Sequence, residues 1–423
     1  MSASTATEAA VVPAILDQRP ALPARESWRL PNSVAFYLQL SIAVVFLAGS
    51  SAPTPLYSVY QAEWGFSPIT VTVVFGIYAL AVLSALLTVG SLSDHIGRRP
   101  VLIAAIVVQA AAMLIFASAD GVTALLLARI VQGLSTGAAV GAIGAGLLDL
   151  HRTRGTIANG VGPILGTATG AIGSGLLVQY LPAPTHLVYL AIFSVIVLQG
   201  LGVLLMRESS TRKPGAIASL CPEFALPPAV RRQMLLAAPV LVAVWSLGGL
   251  YGSLGPTLVR LVVGSNAVVL GGLALAVLAF SGAATILALQ TTQPRTVMLL
   301  GTSSLIVGVA ITLVAISSNS TVGFFAGTAV AGVGFGAGFQ GALRTVMPLA
   351  APHERAGVLS TIYVISYLAL GLPAVIAGFL VVHGGGVRTT AREYGVAVMV
   401  LATLALLGSL RSFRPARDQA SAS

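Results

Sequence analysis

Long apolar runs separated by short polar breaks repeat along almost the whole chain. A helix that crosses the hydrocarbon core of a bilayer needs about 20 mostly apolar residues. Runs of that kind fall near 34–56, 69–91, 100–118, 123–148, 156–179, 186–206, 235–262, 267–290, 296–316, 322–347, 356–382 and 394–411. The pattern predicts an all-α integral membrane protein with twelve transmembrane helices. The longest polar segment, Arg207 to Met234, carries Pro214, Pro222, Pro227 and Pro228 with several charges and divides the runs six and six. The expected organisation is a tail over 1–33, a six-helix bundle over 34–207, a linker over 208–234, a second bundle over 235–411 and a tail over 412–423.

The two halves echo each other at an offset of about two hundred residues. "HRTRG" at His151–Gly155 returns as "HERAG" at His353–Gly357, and "SGLLV" at Ser174–Val178 returns as "AGFLV" at Ala377–Val381. "SSAPT" at Ser50–Thr54 is answered by "SLGPT" at Ser253–Thr257. Three matches in order at a nearly constant offset point to a duplicated six-helix unit, hence two pseudo-symmetric bundles. Parallel repeats with a substrate site at their interface are a transporter design.

Composition strengthens this picture. The chain is 56% hydrophobic and 8% charged, against about 25% charged in soluble domains. Its net charge of +10 does not point to nucleic acid, because the basic residues are scattered between apolar runs and no nucleic-acid-binding motif accompanies them. They are instead sorted by side. With the N-terminus inside, Arg98, Arg99, Arg152, Arg154, Arg207, Arg212, Lys213, Arg231, Arg232, Arg295, Arg344 and Arg355 lie on the inner face, and Arg260, Arg388 and Arg392 on the outer. The positive-inside rule then predicts a multi-pass protein of the inner (plasma) membrane with both termini cytosolic. The stretch Met1 to Pro31 lacks the basic start and long apolar core of a signal peptide and reads as a cytosolic tail. Cys221 is the only cysteine, so neither an internal disulfide nor a thiolate metal site is expected, and no cofactor is called for.

One short stretch concentrates the charge the rest avoids. "GSLSDHIGRRP", Gly90 to Pro100, falls at the inner turn between the second and third spans. Gly90 allows close helix approach, Gly97 can supply positive φ, Asp94 can pair with Arg98 or Arg99, and Pro100 suits the start of a helix. The stretch resembles the signature loop of the major facilitator superfamily, and the twelve spans, central linker and half-chain repeat agree with that resemblance over about Val34 to Arg411. The resemblance implies that this loop, with Gly90 and Gly97 shaping it, locks the two halves together on the cytosolic side through Asp94, Arg98 and Arg99. It also implies that Asp149, at the inner end of the fourth span, is a charged partner of the loop. His95 stands where the family usually has Arg or Lys.

"RIVQG", Arg129 to Gly133, resembles the family's Arg-x-x-Gln-Gly element, which the resemblance associates with proton coupling in exporters. An ionisable residue inside a span is costly and is by default functional, and Arg129 and Gln132 share one helix face. The alternative is that Arg129 snorkels to the outer interface. "NGVGPILG", Asn159 to Gly166, partly resembles the Gly-Pro element of antiporters: Gly162, Pro163 and Gly166 fit, whereas Ala158 and Thr167 stand where glycine is expected. A kinked packing helix explains the same residues. "GAGFQG", Gly336 to Gly341, matches a dinucleotide-binding pattern but lies within the tenth span, without the strand that such a site requires. Gly133, Gly137 and Gly141 read as a helix-packing stripe.

The family architecture implies that spans one, four, seven and ten line a central cavity. Its candidate side chains are Gln39, Tyr57, Arg129, Gln132, Trp245, Tyr251, Phe335 and Gln340, joined by Tyr363 and Tyr367 of span eleven. Pro53, Pro55 and Pro256 can break the outer ends of spans one and seven and let them act as a gate. No Asp, Glu or His falls near a bilayer midplane, which favours a neutral or anionic amphipathic substrate with Arg129 as counter-charge. The expected activity is secondary active transport of a small drug-like or metabolite molecule by alternating access, as proton-coupled efflux, from a monomer in the lipid bilayer. An uptake symporter or uniporter is the alternative within that class, and a non-transporting membrane sensor the alternative outside it. An enzyme is not expected, because no nucleophile–base set or metal-ligand cluster is visible.

Overall fold

The computed structural model describes residues 29–412; the tails expected on either side lie outside the described residues up to 28 and from 413. In chain order the first half comprises α1 (Asn32–Ser51), α2 (Pro53–Trp64), α3 (Pro68–Val89), the short α4 (Ser93–Ile96), α5 (Arg98–Ala117), α6 (Val122–Leu150), α7 (Arg152–Tyr180) and α8 (Pro184–Leu204). The second comprises α9 (Pro228–Ser253), α10 (Gly255–Val263), α11 (Val268–Ala288), α12 (Pro294–Ser318), α13 (Thr321–Val346), α14 (Arg355–His383) and α15 (Gly386–Ser412). Among the described residues these give twelve helical spans long and apolar enough to cross a bilayer. The protein is an all-α integral membrane protein of two pseudo-symmetric six-helix bundles, as the hydropathy pattern predicts.

Local chemistry sets the helix ends. Pro68, Pro184, Pro228 and Pro294 open α3, α8, α9 and α12, at positions where the missing N–H would have had no helical partner. Spans one and seven are each built in two pieces, α1–α2 and α9–α10, broken at Ala52 and Leu254. The repeated "SSAPT" and "SLGPT" segments lie at these breaks, and each second piece ends on a left-handed glycine, Gly65 with φ 67° and Gly264 with φ 69°. Two helices begin about two turns earlier than hydropathy indicates: α9 at Pro228 rather than 235, inside the segment expected as linker, and α15 at Gly386 rather than 394. Their first two turns carry Arg231 and Arg232, and Arg388, Arg392 and Glu393. These residues are excluded by an apolar window but are acceptable helix formers outside the hydrocarbon.

Packing repeats between the halves. The pairs α3–α6, α5–α6 and α1–α7 recur as α11–α13, α12–α13 and α9–α14, and the halves meet along two seams, α7 against α11 and α3 against α14. Lipid tails are as apolar as leucine, so association within a bilayer depends on close approach rather than on escape from water. Side chains such as Leu198 and Val314, 67% and 68% exposed, face outward where only lipid can cover them. Inside, small residues bring backbones together. A Cβ on Gly137 of α6 would sit 2.5 Å from the Val82 carbonyl oxygen of α3, and one on Gly141 would sit 2.5 Å from that of Gly90. The glycine stripe of α6 is thus a packing face, and Gly90 takes the close approach expected of it. "GAGFQG" lies within α13, which follows helix α12.

Candidate functional site

We call the end of the bundle that carries residues 205–227 the linker end, and the opposite one the far end. The best-defined polar cluster begins at the break in span one. In an α-helix the carbonyl of residue i accepts from the N–H of residue i+4. Pro53 has no N–H, so the Gly49 carbonyl loses its helical partner. Gln132 of α6 supplies the replacement, its Nε2 donating to Gly49 O at 3.0 Å. One turn away on the same face, Arg129 donates through Nη1 to Ser50 O at 2.8 Å and to Gln132 Oε1 at 2.8 Å, and through Nε to Tyr57 Oη at 3.1 Å. Its guanidinium lies 5.1 Å from the Tyr78 ring centroid and 5.7 Å from those of Tyr57 and Phe116. Arg129 is fully buried, so it does not snorkel. Its hydrogen-bond partners are all neutral, and the aromatic faces around it supply the negative side of the electrostatics.

Two members of this cluster are absent from the sequence expectation. Tyr78 of α3 carries one face of the guanidinium. Gln109 of α5 is fully buried with neither amide atom hydrogen-bonded, and its Nε2 is 3.3 Å from where a Cβ of Gly49 would stand. Both lie on spans outside the expected cavity-lining set, and neither is charged, so nothing in the chain's pattern marks them.

The other half contributes an aromatic wall. The Trp245 ring packs 5.0 Å from Tyr367 of α14 and 5.6 Å from Phe339 of α13, and Tyr363 is 6.4 Å from Tyr367. Phe335 approaches Gly248 of α9, 3.2 Å from its Cβ position. Trp245, Tyr363 and Tyr367 share one packed cluster with Tyr78, which therefore links the Arg129 group to the opposite bundle. Trp245 Nε1 and Gln340 Oε1 are buried without a partner in the protein.

Two candidates fall elsewhere. Tyr251 donates to or accepts from Thr328 at 2.8 Å and packs on Phe324, inside the second bundle. Gln39 is buried against Gly146, towards the linker end of α6; that is about 25 Å along the helix from Arg129 at 1.5 Å per residue.

At the linker end the charged stretch closes on the first half and on the linker. Arg98 pairs with Asp94, with Asp149 at 3.2 Å through Nε, and with Ser93 Oγ at 2.9 Å. Arg99 donates to the Val203 carbonyl at 3.1 Å and to that of Leu204, placing its charge at the C-terminus of α8, where a cation is favoured. Gly97, with φ 107°, makes the turn into α5. The first two amides of α5, Arg98 N and Arg99 N, are held by the Glu208 carboxylate at 2.8 and 3.0 Å. Glu208 is a linker residue whose role the sequence did not disclose. His95 joins the linker through its backbone, its carbonyl accepting from Lys213 N at 2.9 Å.

The Gly-Pro element packs one half internally. Cβ positions on Gly162 and Gly166 of α7 lie 2.9 Å from Leu40 Cδ1 and 2.8 Å from Leu47 Cβ of α1. Pro163 sits inside the continuous helix, and Ser51 Oγ donates to the Thr167 carbonyl at 2.9 Å. That acceptor is a backbone atom, which glycine at 167 would supply equally, and the Thr167 hydroxyl itself donates to the Pro163 carbonyl at 3.1 Å. Among the described residues no three His, Cys, Asp or Glu side chains come together.

Comparison with known proteins agrees with this architecture. The family model described as Major Facilitator Superfamily matches residues 40–292. The inner membrane transport protein YajR of Escherichia coli (strain K12) is 35% identical over 99 residues, which is 23% of this chain and 21% of that protein. The chain therefore matches about a fifth of the length of that relative. Among solved structures, a bacterial homolog of the human lysosomal transporter Spinster, inward-facing and unoccupied, superposes with a TM-score of 0.70 at 14% identity, covering 91% of this chain and 99% of that one. A mutant of the nucleoside transporter NupG superposes with a TM-score of 0.67 at 13% identity, covering 91% and 100%.

Proposed function

The chain belongs to the Major Facilitator Superfamily, and on that premise we propose that it is a secondary active transporter. It moves a small organic molecule by alternating access, as proton-coupled efflux across the inner membrane, with both termini and the linker in the cytosol. The observation that carries this reading is the placement of Arg129. A fully buried cation with only neutral hydrogen-bond partners is joined through Tyr78 to Trp245 and Tyr367 of the opposite bundle. Such a charge would be stabilised by an anionic or polarised group brought to the seam, and apolar rings from both halves offer that group's molecule a surface. The favoured substrate is therefore neutral or anionic and amphipathic. The signature loop acts at the cytosolic mouth through Gly90, Asp94, Gly97, Arg98, Arg99 and Asp149, and Gly162, Pro163 and Gly166 keep α7 close to α1 as the bundles rock.

Uptake and efflux of a broad compound panel in sealed vesicles with an imposed pH gradient tests this reading, with Arg129→Ala and Asp94→Asn as controls. Flux of neutral or anionic amphiphiles against the proton gradient, abolished by Arg129→Ala, is expected. Preferred transport of quaternary cations that Arg129→Ala leaves unchanged would overturn the substrate class. Substrate moving in the same direction as protons would replace efflux by uptake.

A further inference from the structure

The break in span seven has the same backbone defect as the break in span one, repaired differently. "GSSAPT" at Gly49–Thr54 and "GSLGPT" at Gly252–Thr257 each place a glycine four residues before a proline. Pro256 therefore strips the Gly252 carbonyl of its helical donor, as Pro53 strips that of Gly49. In the first half the repair is internal, from Gln132. At the offset that carries His151 to His353, the counterpart of Gln132 is Gly334, which offers no donor and packs against Leu305. The Gly252 carbonyl is met from the other bundle instead: Thr54 Oγ1 of α2 donates to it at 2.9 Å. Thr54 is 1% exposed. The Phe75 ring of α3 covers the site, 2.6 Å from where a Cβ of Gly252 would stand.

We propose that Thr54 is a positioning residue of the far-end gate, its hydroxyl closing the gate by donating to the Gly252 carbonyl that Pro256 leaves free. Parting the bundles at the far end breaks this bond and releases Gly252 O to water. The closed state is thus favoured by a hydrogen bond whose acceptor one half supplies and whose donor the other supplies. The break in span one has no such dependence, because its repair travels with its own bundle. A second bond between the halves at this end, Gln179 Oε1 accepting from Val268 N at 3.0 Å, caps the start of α11 and depends on no proline. This proposal rests on the reading of the chain as an alternating-access carrier.

The test is the far-end distance between spin labels at A62C and N266C, exposed positions on α2 and after α10. It is measured by pulsed electron resonance in lipid nanodiscs, in a C221S background. Thr54→Val is expected to raise the open-to-closed ratio at least about fivefold, the scale of a buried carbonyl left without a donor. Thr54→Ser is expected to give the parent distribution. On a Pro256→Ala background, where residue 256 regains an N–H for Gly252 O, Thr54→Val is expected to add little. The proposal is overturned if Thr54→Val leaves the distribution unchanged, if Thr54→Ser opens the gate as far as Thr54→Val, or if the valine acts as strongly on the Pro256→Ala background as on the parent one. Should Pro256→Ala not fold, the serine–valine contrast decides alone. Vesicle flux separates the two readings: a Thr54→Val opening in a protein that moves no compound keeps the latch and removes the carrier, and flux without that opening does the reverse.

Discussion

Gln132 and Gly49 are joined by a hydrogen bond of 3.0 Å whose acceptor is available because Pro53 stands four residues further along the chain. The bond offsets the loss of a helical one inside a medium that offers no water as substitute. Gln132→Leu should therefore lower stability by about 1–3 kcal/mol for the unpaired Gly49 carbonyl, with the loss of the Gln132 Oε1 acceptor of Arg129 besides. The same substitution on a Pro53→Ala background should cost clearly less, because an alanine in place of the proline restores the donor. Thermal unfolding in detergent, followed by tryptophan fluorescence, gives both values. An equal loss on the two backgrounds would mean that Gln132 acts through its bond to Arg129 and not through the Gly49 carbonyl.

Arg129 makes its hydrogen bonds with a planar fork directed at once towards Ser50 O, Gln132 Oε1 and Tyr57 Oη. Lysine keeps the charge but is a point donor on a flexible stem. Arg129→Lys should leave at least one buried acceptor unmet, with a loss of about 1–3 kcal/mol, and should transport no better than Arg129→Ala. Full activity in the lysine variant would show that charge alone suffices there. Melting curves and vesicle flux, read side by side, distinguish the two.

What the sequence disclosed, and what it withheld, follows from the range over which each feature acts. The spans, the two-half division and both helix breaks were legible, because apolar length and a proline in a repeated segment are local signals. Arg129 and Gln132 were legible as neighbours on one helix face, because a charge inside an apolar run stands out and three residues separate them. Their acceptors were not: Gly49 O and Ser50 O are backbone atoms on a span eighty residues away, and a chain pattern does not show which carbonyls face which helix. Tyr78 and Gln109 stayed hidden for the same reason. Glu208 was hidden for the opposite one, since a carboxylate in a charged linker looks like any solvated residue until it is found on the amides of α5. Span membership alone does not give height or facing: Gln39 lies against Gly146 near the linker end of α6, and Tyr251 faces Thr328 inside the second bundle.

Gly97 and Glu208 form a second coupled pair. Gly97 holds φ 107°, and a Cβ there would lie 2.6 Å from Glu208 Oε2. Gly97→Ala should cost about 1–3 kcal/mol through backbone strain, with displacement of the carboxylate besides. Glu208→Ala removes the cap of α5 and should cost about 0.5–2 kcal/mol. Because both act on one turn, the double variant should lose less than the two single losses combined. Denaturation of the four proteins closes the cycle, and simple additivity would show that the carboxylate and the turn are independent.

Glycines in this protein are not interchangeable, and two of them should respond to substitution with opposite signs. Gly137 faces α3 so closely that an added Cβ meets the Val82 carbonyl at 2.5 Å and the Ala85 Cβ at 2.6 Å. Neither atom is the tip of a flexible side chain, so Gly137→Ala must push α6 from α3 and shed contacts along that helix pair, which in lipid no hydrophobic drive replaces. Gly173 of α7 has nothing within 4 Å of its Cβ position and sits in a continuous helix. Alanine there gains helix propensity, up to about 1 kcal/mol, without displacing a neighbour. Gly137→Ala should thus lower the melting temperature and the yield of monodisperse protein, and Gly173→Ala should hold or raise both. Size-exclusion profiles of heated samples provide the comparison. A Gly173→Ala variant as damaged as Gly137→Ala would mean that helical glycine matters here for flexibility, and that close approach is not what its placement serves.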